Sequence, residues 1–272
     1  MSFDILRNNT PIEQYNILRR IINVKREDLS TNWPAPSLAK MRGCLIRLEN
    51  IKAQGYTLVG VLDTRISKSG WGVAYLANKL GNITVNAYYP ELKSEVGFLH
   101  QQQRMSLLLG ANLFPMAGQR TAILYSKARK ETESLGGYMM PMGLVVEESV
   151  NAIAAEANTI PEKYLGGDLV VCTGSGMTLA GITKSLSTKE HKIYGISAGM
   201  NIKKQIKRIT TMGVEIPSNV NIILPENVDY FSKDNTPTPF PSSLYYDRKA
   251  WHWLLDNIET LKDPILFWNI GV

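Results

Sequence analysis

A chain of 272 residues with 44% hydrophobic and 20% charged residues has the composition of an ordinary globular protein with enough length to bury a large core. Its formal charge of +6 raises nucleic acid as a partner, yet the basic residues are scattered, and a solvated basic surface accounts for most of them. Cys44 and Cys172 supply no disulfide framework, no apolar run approaches the roughly 20 residues of a bilayer span, and MSFDILRNNT does not read as a signal peptide, so a reducing cytoplasm and no membrane are expected.

Strand and helix patterns alternate along the chain, which predicts an α/β fold with a parallel sheet and crossover helices. Tyr56–Leu62 reads as a buried strand, and Gly72–Leu80 as a helix closed by Gly81. A strand over Ile83–Tyr89 and a helix from about Glu95 to Leu109, ended by Gly110, come next. Ala122–Leu135 predicts a helix stopped by Gly136-Gly137, Tyr138–Gly143 a turn, and Val146–Ala157 another helix. Leu169–Val171 and Ile193–Ile196 read as strands, and Ile202–Arg208 as a helix whose lysines and arginine form its polar face. The proline-rich Asn235–Pro241 is a loop, and Arg248–Leu261 a closing helix. Two lobes are expected, one over 45–137 and one from 1–44 with 138–272.

The stretch Val171-Cys-Thr-Gly-Ser-Gly-Met-Thr-Leu-Ala-Gly181 joins a predicted strand to a predicted helix. Glycines there let the backbone approach a ligand, and the helix N-terminus offers N–H groups and a positive dipole end to an anion. A dinucleotide fingerprint would need a third glycine where Leu179 stands, and an acid after the next strand, where the chain reads Ile196-Ser-Ala. A P-loop would need a lysine that Ala180-Gly-Ile-Thr183 lacks. A small monophosphate suits the loop better, because Ser175 and Thr178 add hydroxyl donors; a purely structural glycine turn remains the other reading.

Further stretches add to this one. Val24-Lys-Arg-Glu-Asp-Leu29, then Pro36-Ser-Leu-Ala-Lys-Met-Arg-Gly43, then the glycine loop form a pattern that resembles the pyridoxal-phosphate enzymes of the tryptophan synthase β-chain type. Threonine dehydratase, D-cysteine desulfhydrase and aminocyclopropane-carboxylate deaminase belong to that family. Ser67-Lys-Ser-Gly-Trp-Gly-Val-Ala-Tyr75 resembles the family's Ser-x-Asn-His segment, and Leu108–Leu113 its Leu-Gly-Ala strand. Tyr245–Ala250 resembles its Tyr-x-Gly-Lys-Ala helix start, and Leu266-Phe-Trp-Asn-Ile-Gly271 stands where the family carries His-Thr-Gly-Gly.

The resemblance implies a two-lobed parallel-sheet fold with the cofactor in the cleft between lobes. It implies pyridoxal 5'-phosphate on Lys40 as a Schiff base, with Thr173, Gly174, Ser175, Gly176, Met177 and Thr178 around its phosphate. It places Lys68 at the cofactor's 3-oxygen, where relatives have asparagine, and Ser69 where they have histidine. Ser67 is the implied contact for a substrate carboxylate, and Asn269 the partner of the ring nitrogen; a neutral amide there suggests an unprotonated ring. Lys40 acts as Schiff-base lysine and general base only if partly neutral, and Arg42 either assists that or makes a surface ion pair.

The implied reaction is cleavage of a Cα bond in an amino-acid-like substrate, with elimination or deamination ahead of decarboxylation. Two alternatives stay open. One is an enzyme of bacteriophage DNA hypermodification that acts on an amino-acid group attached to a nucleic-acid base and binds nucleic acid through the basic surface. The other is a pseudoenzyme that binds the cofactor without turnover. Relatives suggest a homodimer, for which the apolar Ile265-Leu-Phe-Trp268 is a candidate face, with the core as the alternative. No metal is expected, since His100, His191 and His252 lie far apart in sequence and lack ligand spacing. Trp251, Trp253 and Trp268 read as core or interface anchors, Tyr245 and Tyr246 as cleft or packing residues, and Glu27 and Asp28 as caps or partners of Arg26.

Overall fold

The structure, a computed structural model, describes residues 6–118, 120–187 and 191–272. In chain order it runs β1 (Ile12–Ile17), β2 (Arg20–Arg26), α1 (Met41–Ala53), β3 (Leu58–Leu62), α2 (Ser69–Leu80), β4 (Thr84–Glu91), α3 (Gln101–Leu108), β5 (Asn112–Ala117) and α4 (Thr121–Ser134). The second half runs β6 (Tyr138–Met139), α5 (Glu147–Ala157), β7 (Leu169–Thr173), α6 (Met177–Leu186), β8 (Ile193–Ser197), α7 (Ile202–Thr211), β9 (Val220–Ile223), α8 (Asp247–Asn257) and β10 (Ile265–Asn269).

The chain forms two compact units. The larger combines the N-terminal segment to Asn32 with Ser37–Gly43 and Ser149–Val272; the smaller combines Trp33–Pro36 with Cys44–Glu148. The larger unit is built on a six-stranded sheet in the order β1-β2-β10-β7-β8-β9, parallel except for the β1–β2 hairpin. β10 lies between β2 and β7, and all five of its residues are buried. A parallel strand covered on both faces reads as an uninterrupted apolar run, so Ile265–Trp268 belongs to the core. Trp251 packs edge-on against Phe240 and Phe267, with centroids 5.1 and 5.2 Å apart, and Trp268 is fully buried. Trp253 is half-buried against Tyr194.

The smaller unit carries a parallel sheet in the order β5-β4-β3-β6. Leu62, Tyr88, Leu124, Ala128 and Met139 pack together on it. This unit extends to Glu148 because β6, expected to be a turn, pairs with β3. Gly137 allows that approach: a Cβ there would stand 2.8 Å from Leu58 Cγ. The helix expected over 95–109 begins only at Gln101, since Gly97, at φ +74°, turns the chain first. α2, by contrast, starts three residues early, because the Asp63 carboxylate accepts the Gly70 N–H at 2.9 Å.

Candidate active site

β7 and β8 are parallel and end at the same sheet edge, where open α/β sheets receive their ligands. β7 ends at Thr173, and Gly174, Ser175 and Gly176 lead into α6, which begins at Met177 with Thr178 in its first turn. Gly176 is the N-cap residue, at φ +96°, and a Cβ on it would come within 3.1 Å of Ile209 Cγ1. The positive φ therefore favours glycine, and the close Ile209 leaves little room for a side chain. No side chain caps this helix, so its first-turn N–H groups remain for another acceptor. α7 differs: the Asn201 side chain accepts the Lys204 N–H.

Several residues that the motifs did not announce hold this loop. Thr173 Oγ1 donates to Gln205 Oε1 at 3.1 Å, and Gln205 Nε2 donates to Ser197 Oγ at 2.8 Å. The Tyr246 ring comes within 3.4 Å of where a Cβ on Gly174 would stand, and its hydroxyl meets that of Tyr230 at 2.8 Å. The structure thus places the Tyr246 ring against the loop. Lys249, buried, donates to Asp229 O at 2.6 Å and to Ala198 O at 3.2 Å, joining the turn after β8 to the 229–230 segment. Burial pushes its ammonium below the usual lysine range. Cys172 is a buried thiol whose pKa burial pushes well up, which suits packing rather than reactivity.

Lys40 is half-buried in the turn that immediately precedes α1, rather than exposed along a helix. Two residues on, Arg42 is buried, which corrects the alternative of a surface ion pair. Arg42 donates to Glu27 Oε2 at 2.8 Å and lies 3.4 Å from Glu156 Oε2. Glu156 also meets Lys25 Nζ at 2.6 Å and accepts the Thr10 N–H at 2.8 Å. Burial opposes charge on the Glu156 carboxyl, but the Lys25 hydrogen bond and the charges of Arg42 and Lys25 outweigh it and hold the pKa down. Burial likewise disfavours the charged Arg42, and Glu27 and Glu156 overcome that. Arg42 is therefore a compensated charge that fixes the segment carrying Lys40.

Asn269, at the end of β10, is fully buried. Its Nδ2 donates to Asp28 Oδ1 at 3.0 Å and to Pro241 O at 2.9 Å. Two acceptors around one amide nitrogen fix its orientation and leave Oδ1 buried without a partner among the described residues. An orphaned acceptor of this kind calls for a donor from a bound group. Asp28 also takes two hydrogen bonds from Arg26, at 2.8 Å each, as the pairing of Arg26 with its neighbours led one to expect.

Ser67 and Lys68 belong to the smaller unit, while Lys40, Thr173–Thr178 and Asn269 belong to the larger. Ser67 Oγ donates to Ser69 Oγ at 2.9 Å and accepts the Ser69 N–H, and Lys68 is the N-cap residue of α2. Beneath this turn lies Asp63, buried, with its pKa pushed up to about 7 by burial and only partly restored by the Gly70 N–H, the Ser67 hydroxyl and the Ser69 N–H. Among the described residues no three His, Cys, Asp or Glu side chains gather as a metal ligand set. No described helix is long and apolar enough to cross a membrane.

An uncapped glycine loop at the carboxyl edge of a parallel sheet, with a buried orphan acceptor on the same unit, suits a cofactor bearing a phosphate and a ring nitrogen. That combination is compatible with α/β enzymes that use pyridoxal phosphate. The comparisons narrow it. The chain is 35% identical over 280 residues to the glycyl-dTMP PLP-dependent decarboxylase of Pseudomonas phage M6, covering 97% of this chain and 99% of that protein. It belongs to the family of pyridoxal-phosphate-dependent enzymes that this decarboxylase represents, and it is an enzyme that uses that cofactor. No family model matches the chain. Among solved structures it is similar to an ACC deaminase homologue, with TM-score 0.81 and 20% identity over 98% of this chain and 90% of the other. It is also similar to a hydrogen sulfide-producing enzyme of Fusobacterium nucleatum, with TM-score 0.72 and 17% identity over 100% of this chain and 98% of that one. These two likenesses concern the fold alone.

Proposed function

We propose that the chain decarboxylates a glycine unit carried by a thymine nucleotide, holding pyridoxal phosphate on Lys40. The observation that carries this reading is the end-to-end similarity, at 35% identity, to the phage glycyl-dTMP decarboxylase. It moves decarboxylation ahead of elimination and favours the nucleic-acid alternative over free amino acids.

Pyridoxal phosphate, when bound, supplies an electron sink for the pair released at the substrate's α-carbon. The chain's own residues do the rest. The N–H groups of Gly174–Thr178, with the Ser175 and Thr178 hydroxyls, hold the phosphate at the positive end of α6. Asn269 offers only its carbonyl oxygen, so it accepts from a ring nitrogen that carries a proton. On this reading Asn269 favours a protonated ring nitrogen, where the sequence suggests an unprotonated one, and a protonated ring is the stronger electron sink for loss of CO2. The substrate carboxylate leaves as CO2, and Lys40, protonated as its ammonium, returns one proton to the α-carbon, where it takes up the bonding pair left behind. A cytoplasmic homodimer is part of the same proposal, and light scattering on the purified protein reads the dimer.

The test pairs spectra with product. Wild type, Lys40→Ala and Lys68→Ala are compared before and after borohydride, and glycyl-dTMP is assayed for CO2. The reading expects a reducible visible band lost only in Lys40→Ala, with CO2 release by wild type. A band that survives in Lys40→Ala, or no CO2 from glycyl-dTMP, overturns it.

A further inference from the structure

α7 carries Lys203, Lys204, Lys207 and Arg208, and the thymine-nucleotide reading does not use them. α6 and α7 together contain no acidic residue. At 100° per residue the four cations of α7 fall within one outward sector, while Gln205 and Ile209 are buried on the opposite side. Lys203, Lys204 and Lys207 are exposed and Arg208 is half-buried, and none of the four forms an ion pair with a described residue. Acids at i±3 or i±4 would pair with these cations along the helix; α7 has none.

The location gives the face its meaning. Gln205 bonds Thr173, the first residue of the glycine loop, and Ile209 meets Gly176. The inward side of α7 therefore braces the phosphate loop while its outward side presents four cations. Lys203 and Lys204 lie in its first turn, beside the sheet edge where β7 and β8 end. The pairs Lys203/Lys207 and Lys204/Arg208 are each spaced i,i+4, about 6 Å along the axis, which spans roughly two nucleotides of one strand.

We propose that the basic face of α7 docks the phosphate backbone of DNA and brings a nucleotide within a polymer to the glycine-loop edge of the sheet. The proposal rests on the thymine-nucleotide reading and deepens it: the glycine-bearing nucleotide is taken as part of DNA as well as free. The base itself must then leave the stack to be reached. Charge complementarity selects this occupant, since a free nucleotide carries one phosphate group and the face presents four cations along a helix.

The experiment uses the holoenzyme and a labelled, unmodified duplex DNA, followed by fluorescence anisotropy between 50 and 200 mM salt. Four backbone contacts give a slope of log K against log salt of about −3.6. Lys203→Ala/Lys207→Ala should reduce it to about −1.8, and Lys204→Ala/Arg208→Ala similarly. Cofactor absorbance should be unchanged in both variants, which shows that they are folded and loaded. A parallel arm measures CO2 from glycyl-dTMP. Failure of wild type to bind DNA, or binding that keeps its slope in both variants, overturns the α7 assignment. CO2 release from glycyl-dTMP in that case leaves the thymine-nucleotide reading standing; salt-sensitive binding through α7 without CO2 release fails that reading while the surface stands.

Discussion

Replacing Asp63 with asparagine isolates one buried carboxyl and makes its cost measurable. Asp63 lies at the end of β3 beneath the Ser67–Gly70 turn, fully buried, with its pKa raised from 3.8 to about 7. Because the folded pKa exceeds the unfolded one, the native state binds an extra proton between about pH 4 and pH 7. Stability from this group is complete below the unfolded pKa and declines as pH rises through the window, at about 1.4 kcal/mol per pH unit. From pH 5 to pH 8 the wild type should lose roughly 3 kcal/mol that Asp63→Asn does not lose. Urea unfolding of both proteins at the two pH values reads the difference directly. The neutral amide keeps an acceptor for the Gly70 N–H, so the variant should fold at either pH. Equal losses in the two proteins, or a larger loss in the variant, would refute the argument that burial dominates at this carboxyl.

Two further expectations follow from named contacts. Glu156→Ala leaves Lys25 and Arg42 as buried charges without their shared partner and should destabilise the larger unit by about 3–5 kcal/mol in urea unfolding. Gly176→Ala forces a side chain onto φ +96° against Ile209; a strain of about 1–2 kcal/mol should appear as weaker uptake of added pyridoxal phosphate in a titration by visible absorbance.

The sequence alone determined where a glycine-rich turn joins a buried strand to a helix. A glycine loop between strand and helix is legible because its signal is local: glycines mark backbone that must approach something or adopt positive φ, and Gly176 does both. Strands such as β3 and β7 are legible for the same reason, being short apolar runs bounded by turn residues. What only the tertiary structure decided concerns groups whose partners lie far away in sequence. β2 places Lys25 and Arg26 inside, where a strand pattern would show apolar residues, because α5 delivers Glu156 across 131 positions to meet Lys25. Gln205 and Tyr246 support the glycine loop from α7 and from the turn before α8, and no spacing rule connects them to Gly174. The orientation of the Asn269 amide was not legible; Asp28, 241 residues earlier, and Pro241 settle which of its atoms is left without a partner among the described residues. Local backbone needs are written in neighbouring residues, whereas the compensation of a buried charge or amide is a property of whatever the fold brings within hydrogen-bonding distance.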